Sequence, residues 1–402
     1  MKTTLCLALL LATTAAHALS DSEKETLMTA AVEAYERQDY ATALEKWRTL
    51  AEAGDAAAQN NLGVLYAEGQ GVAQDYAQAR TWFEKAAAQG HANAQNSLGF
   101  LYAKGQGVAQ DYAQAHAWWE KAAAQGHAEA QFNLGTLYDK GQGVAQDTAQ
   151  ARTWYEKAAA QGHAEAQFNL GTLYDKGQGV AQDTAQARTW YEKAAAQDYA
   201  DAQYNLGVSY YEGEGALQNY GQARLWWEKA AAQNLAQAQY SLGILYAKGQ
   251  GVARDYAQAC AWYEKAATQG YADAQYNLGV SYYEGKGVAQ NYGQARAWWE
   301  KAAVQGNADA QYNLGVLYAE GQGVAQDYAQ ARAWWEKAAA QGYAAAQYNL
   351  GALYENGQGI TQDYDKARTW YEKVAAQTDN KEAQQAAQQV LQDLDKTGNN
   401  KP

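Results

Sequence analysis

The sequence has one proline, and it is the last residue, Pro402. With 37 glycines and no internal proline, the chain is neither collagen-like nor a proline-rich spacer. Valine, isoleucine and phenylalanine are scarce, and alanine, glutamine, glycine, tyrosine and tryptophan dominate instead. There are two cysteines, Cys6 and Cys260. Cys6 falls in an N-terminal segment expected to be removed, so Cys260 is left without an intramolecular disulfide partner. Lys and Arg number 31 against 44 Asp and Glu, a formal charge of −13. Such a chain repels the phosphates of nucleic acid, and a basic or neutral partner fits it better. After the first twenty residues no stretch is long and apolar enough to span a bilayer.

Those first residues read as a secretory signal. Met1 and Lys2 form a short basic start, Leu5 to Ala12 an apolar run, and Ala16-His17-Ala18 an A-x-A cleavage site. Residues 1–18 are thus expected to be cleaved, leaving a periplasmic or secreted chain of charge −14, since Lys2 departs and no acid does. Cys6 has no small residues just before it, which argues against a lipid anchor.

A 36-residue unit fills most of the remainder. It starts at residues 55, 91, 127, 163, 199, 235, 271, 307 and 343, so that 55–378 is one array. Tandem units of this length predict one elongated domain of stacked supersecondary elements. The units at 127 and 163 are identical at 35 of 36 positions. Such a duplication is tolerable where each unit contacts only its neighbours, and it would break a catalytic site that needs fixed distances.

Each unit predicts two helices. In the unit at Asn307, the first spans Ala308 to Glu320, with Ala310, Leu314, Leu317 and Tyr318 as its apolar stripe. Gly315 sits beside that stripe despite costing about 1 kcal/mol relative to Ala in a helix, and so marks a close approach to the neighbouring helix. Gly321-Gln322-Gly323 ends the helix. The G-x-G follows a helix and lacks the Lys-Ser/Thr of a phosphate loop, so it reads as a turn. Asp327 and Gln330 form a D-x-x-Q capping pattern at the second helix. Its apolar stripe is Ala331, Trp334, Trp335, Ala338 and Ala339, and Gly342 terminates it. All 14 tryptophans lie in second helices, spaced as core residues packed on alanine rather than as a stacking platform. Residues 19–54 read as a helix pair without the glycine-rich turn, Asp21 to Arg37 and Asp39 to Ala53. Residues 379–402 read as a capping helix, Lys381 to Asp395, and a polar tail. The cap's apolar face carries Ala383, Ala387, Val390, Leu391 and Leu394, and its wet face Gln384, Gln385, Gln388 and Gln389.

The pattern A-x-A-Q-Y-N-L-G-x-x-Y-x-x-G-x-G-V, followed by D-Y-x-x-A-x-x-W-Y-x-K-A-A-x-Q-G, resembles the Sel-1-like repeat (SLR) family of the tetratricopeptide superfamily. The resemblance covers Asp55 to Thr378. It implies an all-α, right-handed solenoid whose first helices line a concave side. It also implies an adaptor role in holding peptides or assembling complexes, with envelope and host-interaction roles among secreted bacterial members. One subgroup carries a disulfide in each repeat and is associated with β-lactam-directed activity. The paired cysteines are absent here, so that activity is not expected.

No catalytic or metal constellation emerges. His91, His127 and His163 share one repeat position, and equivalent positions on stacked hairpins lie about 10 Å apart, too far to share a metal. No cofactor is expected. The expectation is a non-catalytic scaffold for a protein or peptide, extended and basic. The alternatives are an envelope enzyme active on peptidoglycan or β-lactams, and a self-associating structural solenoid. Cys260 takes the slot filled by Arg80, Arg152, Arg188, Arg224, Arg296, Arg332 and Arg368. That slot reads as a solvated face, so a dimer through Cys260 is one form of self-association. The expected binding residues are those pointing away from the buried stripe of the first helices. They are the amide row Asn133, Asn169, Asn205, Asn277, Asn313 and Asn349, the tyrosines Tyr204, Tyr240, Tyr276 and Tyr312, and the acids Asp201, Asp273 and Asp309. A side-chain amide both donates and accepts, so such a row suits the backbone of an extended peptide. The competing reading is that the Asn and Tyr side chains bond between repeats and build the solenoid.

Overall fold

In a computed structural model, residues 19–215, 217–378 and 380–396 are described. Both the segment read as a signal and the tail beyond residue 396 lie outside them. The described residues form 21 α-helices and no strand. The chain divides into two compact units, Met1–Trp190 and Tyr191–Pro402. In the first, α1 (Asp21–Glu36) and α2 (Tyr40–Glu52) are followed by α3 (Ala56–Glu68), α4 (Tyr76–Ala88), α5 (Ala92–Lys104), α6 (Tyr112–Ala124), α7 (Ala128–Lys140), α8 (Thr148–Ala160) and α9 (Ala164–Lys176). The division falls within α10 (Thr184–Ala195). The second unit continues with α11 (Ala200–Glu212), α12 (Tyr220–Ala232), α13 (Ala236–Lys248), α14 (Tyr256–Thr268), α15 (Ala272–Glu284) and α16 (Tyr292–Val304). It ends with α17 (Ala308–Glu320), α18 (Tyr328–Ala340), α19 (Ala344–Asn356), α20 (Tyr364–Ala375) and α21 (Lys381–Lys396). Within each unit consecutive helices pack pairwise, the pattern of an α-solenoid.

One buried aromatic slot builds the pair. An aromatic ring from each second helix is buried to 5 % exposure or less: Trp47, Phe83, Trp119, Tyr155, Tyr191, Trp227, Tyr263, Trp299, Trp335 and Tyr371. In the nine repeats, whose first helices carry a mid-helix glycine that α1 lacks, that glycine makes room for the ring. A Cβ added at Gly135 would lie 2.6 Å from the Tyr155 ring, and one at Gly315 would overlap the Trp335 indole. The close approach expected at this glycine is therefore real, and it is made to the partner helix of the same repeat. The indoles also bond: Nε1 of Trp335 donates to the Tyr312 carbonyl and Nε1 of Trp299 to that of Tyr276, both at 3.1 Å. The other tryptophan of the pair behaves differently. Trp334 was expected on the buried stripe but is half-buried. It packs on a cluster formed by Trp299 and Ala302 of the preceding repeat and Leu314 of its own, and carries the Lys337 ammonium 3.9 Å over its ring.

The turns follow the sequence closely. Gly321 and Gly323 have φ of 71° and 67°, the left-handed region that a Cβ disfavours. The Gln322 amide closes the helix end on the Leu317 carbonyl at 3.1 Å. Asp327 caps α18 by accepting from the amides of Ala329 and Gln330. The capping box, however, is one-sided, because the Asp327 amide donates to the Tyr318 carbonyl at 2.8 Å and leaves nothing for Gln330 to accept. Where the terminal glycine of the repeat is replaced, Asp198 and Asn234 keep φ near 60° and 67°, as short polar side chains allow. On α21, Ala387 and Leu394 are buried against Tyr371 and Val374. Gln384, placed on the wet face from sequence, instead donates to the Ala375 carbonyl at 3.0 Å.

The solvated reading of the Cys260 slot fails. Cys260 is 4 % exposed, and its Sγ donates to the Lys286 carbonyl at 3.3 Å. Burial also raises its thiol pKa. Two of the equivalent arginines turn the same way: Arg80 donates to the Gly107 carbonyl at 3.1 Å and Arg152 to that of Gly179 at 3.4 Å. The slot staples a second helix to the glycine turn of the next repeat. A thiol held there is not presented to a second chain.

Candidate functional site

The first helices carry three rows of polar side chains, and burial separates them. The first row, missed from sequence as a structural element, is glutamine: Gln59, Gln95, Gln131, Gln167, Gln203, Gln239, Gln275, Gln311 and Gln347 are all buried. Gln311 donates to the Ala303 carbonyl of the preceding repeat at 3.0 Å and accepts from Gln341, the C-cap of its own second helix, at 2.9 Å. Gln131 and Gln275 repeat the arrangement. The available signal was the invariance of Gln at this slot in all nine repeats. A buried amide needs partners, and these join one repeat to the next.

The second row holds the expected asparagines and tyrosines, all half-buried. Several pair across consecutive repeats. Asn277 Nδ2 donates to the Tyr240 hydroxyl at 3.3 Å, and Asn133 Nδ2 to Asn96 Oδ1 at 3.4 Å. Asn169 and Asn313 hold the same slot. The rings stack too, Tyr204 on Trp227 at 6.3 Å and Tyr312 against Tyr343 at 5.1 Å. Burial, and secondarily Asp273, pushes the Tyr240 hydroxyl up to about 12. Burial likewise raises Tyr204 and Tyr276, the latter helped by Asp309. These phenols remain protonated donors throughout the ordinary pH range. Asn205 and Asn349 occupy the same slot, half-buried.

The third row is the acids near the helix starts. Asp309 accepts from the Tyr343 hydroxyl at 2.9 Å and Asp273 from Asn307 at 3.2 Å, each in the next repeat. Glu129 meets His163 Nε2 at 2.9 Å. His163 Nδ1 already accepts the Ala166 amide, so Nε2 carries the proton and donates. Asp201 is exposed, and the residue 34 places on is Leu235, which has no polar group to offer. His91 and His127 cap their own helices through Nδ1, accepting from Ala94 and Ala130. Burial lowers the pKa of both. Among the described residues no group of three or more His, Cys, Asp or Glu is placed to hold a metal ion.

Between consecutive first helices lies a recurring cleft. One of about 310 Å³ is lined by Tyr276, Val280, Tyr283 and Glu284 on α15 and by Tyr312, Asn313 and Val316 on α17, with Trp299 as its floor. The corresponding cleft between α11 and α13, about 220 Å³, has Tyr204, Val208, Tyr211, Glu212, Ser241 and Ile244. In the first unit, Val32, Tyr35, Glu36, Trp47, Asn61 and Val64 line the equivalent place. The structure thus brings Tyr276, Tyr312 and Asn313 together, with Tyr204 in a second cleft. The acids facing these clefts are Glu212 and Glu284, one residue before the helix-ending glycine, rather than Asp201 and Asp273. Glu284 also pairs with the exposed Lys286 at 2.8 Å.

With this geometry in place, the family match is decisive. The Sel1 repeat family matches nine consecutive segments, residues 56–91, 92–127, 128–163, 164–199, 200–235, 236–271, 272–307, 308–343 and 344–379. This chain belongs to the Sel1 repeat family. The family's units begin one residue after those read from the sequence. A protective antigen of uropathogenic Escherichia coli with an SLR fold is similar at 34 % identity and a TM-score of 0.65, over 92 % of this chain and 88 % of that one. A Sel1 repeat protein from Oxalobacter formigenes is similar at 37 % identity and a TM-score of 0.61, over 77 % and 89 %. No curated protein matches. Sel1 repeat proteins generally act as protein-interaction scaffolds. No helix among the described residues is long and apolar enough to cross a membrane.

Proposed function

We propose that this Sel1 repeat protein binds an extended protein segment along its first helices, without catalysing a reaction on it. The observation that carries the reading is the recurring cleft. Apolar walls at Val208, Val280 and Val316 can take side chains, while the neighbouring Asn313 and Ser241 offer hydrogen bonds to a backbone. Glu212 and Glu284 at the rim, and the overall charge of −13, favour a Lys- or Arg-bearing partner. The A-x-A site at Ala16-His17-Ala18 favours a periplasmic or secreted setting for the encounter. Much of the Asn and Tyr row is bonded between repeats. The apolar walls and rim acids of the clefts are therefore the better markers of ligand than the amides alone.

Site-specific photo-crosslinking tests this. A crosslinker at Val280 or Val316 should capture partners from envelope extract that one at Ala333, exposed on α18, does not. Equal capture from both faces, or capture from Ala333 alone, would exclude the first-helix face.

A further inference from the structure

We propose that the cleft beside Asn96 and Phe100 is an anchor pocket for one aromatic side chain of the bound segment. The proposal rests on the first helices being the binding face. From the repeat at 127 onward, the sixth residue of every repeat is aromatic: Phe132, Phe168, Tyr204, Tyr240, Tyr276, Tyr312 and Tyr348. Its ring fills the space over the core ring, Phe132 to Tyr155 at 5.8 Å and Tyr348 to Tyr371 at 5.2 Å. It also reaches the first residue of the next repeat, Phe132 stacking on His163 at 4.6 Å. Two repeats have Asn there instead. Asn60 is buried, whereas Asn96 is half-buried and borders open space.

The consequence is a cleft of about 450 Å³, larger than the 310 and 220 Å³ clefts where a tyrosine stands in that slot. With no ring at Asn96 the space runs from α3 across α5 to Glu129 and Asn133 on α7. Its apolar walls are Val64, Phe83, Leu101 and Phe100. Phe100 occupies a slot that holds Val, Thr, Ile or Ala in the other repeats, and it is 46 % exposed. An apolar cavity of about 150 Å³ suffices for a benzene-sized ring, so an incoming Phe, Tyr or Trp fits with room for its backbone. Such a ring would take the place the later repeats fill for themselves and pack against Phe100 in an offset or edge geometry. Glu68 and Glu129, both exposed on the rim, suit Lys or Arg next to the anchor. The ligand class is thus an extended peptide with an aromatic residue flanked by basic ones.

A displayed library of random decapeptides, selected on the full-length protein and on Asn96→Tyr, tests the pocket. The variant adds the ring that Tyr204 and Tyr312 carry in the same slot. Phe100→Val, which restores the residue found at Val64 and Val280, serves as a second variant should the first unfold. The wild type is expected to enrich peptides with one aromatic residue beside Lys or Arg. Replacing that aromatic by Ala in a selected peptide should weaken Kd at least about tenfold. Either variant should lose the aromatic preference while keeping the basic one. If basic peptides are enriched with no aromatic preference, or if the preference survives in both variants, the pocket is overturned and the binding face stands. If neither protein enriches any peptide, the binding face falls and takes the pocket with it.

Discussion

Gln311 and Asn313 stand two residues apart on α17, and both recur at the 36-residue period. Gln311 is 5 % exposed and joins Ala303 of the preceding repeat to Gln341 of its own. Asn313 is half-buried on the wall of a cleft, shares that wall with Tyr312 and Val316, and faces Tyr276 on α15. The buried slot holds Gln in all nine repeats, while the half-buried one accepts Asn or, at Ser97 and Ser241, Ser. Periodicity marks both rows equally. Burial tells them apart, since a buried amide loses its water and must find fixed partners.

The largest effect should come from breaking the buried row. Gln311→Ala removes two hydrogen bonds and leaves a small void, and should cost about 2–3 kcal/mol in urea unfolding. Gly315→Ala should come next. The added methyl overlaps Trp335, and overpacking outweighs the gain in helix propensity for a net loss of about 1–2 kcal/mol. Asn313→Ala should cost less than about 1 kcal/mol, because water reaches its half-buried amide. Equal losses at Gln311 and Asn313 would erase the distinction between the two rows.

Two smaller effects sharpen it. Burial holds the pKa of His91 and His127 down, and their neutral Nδ1 atoms accept the Ala94 and Ala130 amides. The unfolded chain therefore takes up these protons first. The stability they contribute is complete above about pH 6.5 and falls as the pH drops below it. Replacing both by Asn, the cap that Asn307 supplies to Ala310 at 2.9 Å, should reduce the fall in Tm between pH 7 and 5. An unchanged fall would show that the histidines contribute nothing to it. Lastly, the Cys260 thiol should react slowly with a disulfide reagent in the native protein and quickly in urea. A disulfide-linked dimer of the native protein on a non-reducing gel would restore the exposed reading.

Most of the fold was legible because a repeat displays its constraints many times over. The helix limits of α17, the left-handed glycines of the turn, the Asp327 cap and the Gly315 contact follow from local chemistry that the sequence states directly. The failures lie where a side chain's surroundings come from another repeat. The Cys260 slot looked solvated because its usual occupant is arginine, yet Cys260, Arg80 and Arg152 all reach the glycine turn of the next repeat. Trp334 looked buried because tryptophan usually is, yet it lies over a cluster shared with the preceding repeat, under Lys337. The acids at Asp273 and Asp309 looked available because their partners, Asn307 and Tyr343, lie 34 residues away.

By itself the sequence determined the helices, their caps and turns, the count of repeats and the family, since each depends on residues within one 36-residue period. Only the tertiary structure decided which polar row is structural and which faces a cleft. It also showed where a missing ring at Asn96 leaves space beside Phe100. Burial and cavity shape are properties of neighbouring repeats in contact, and no single period contains them.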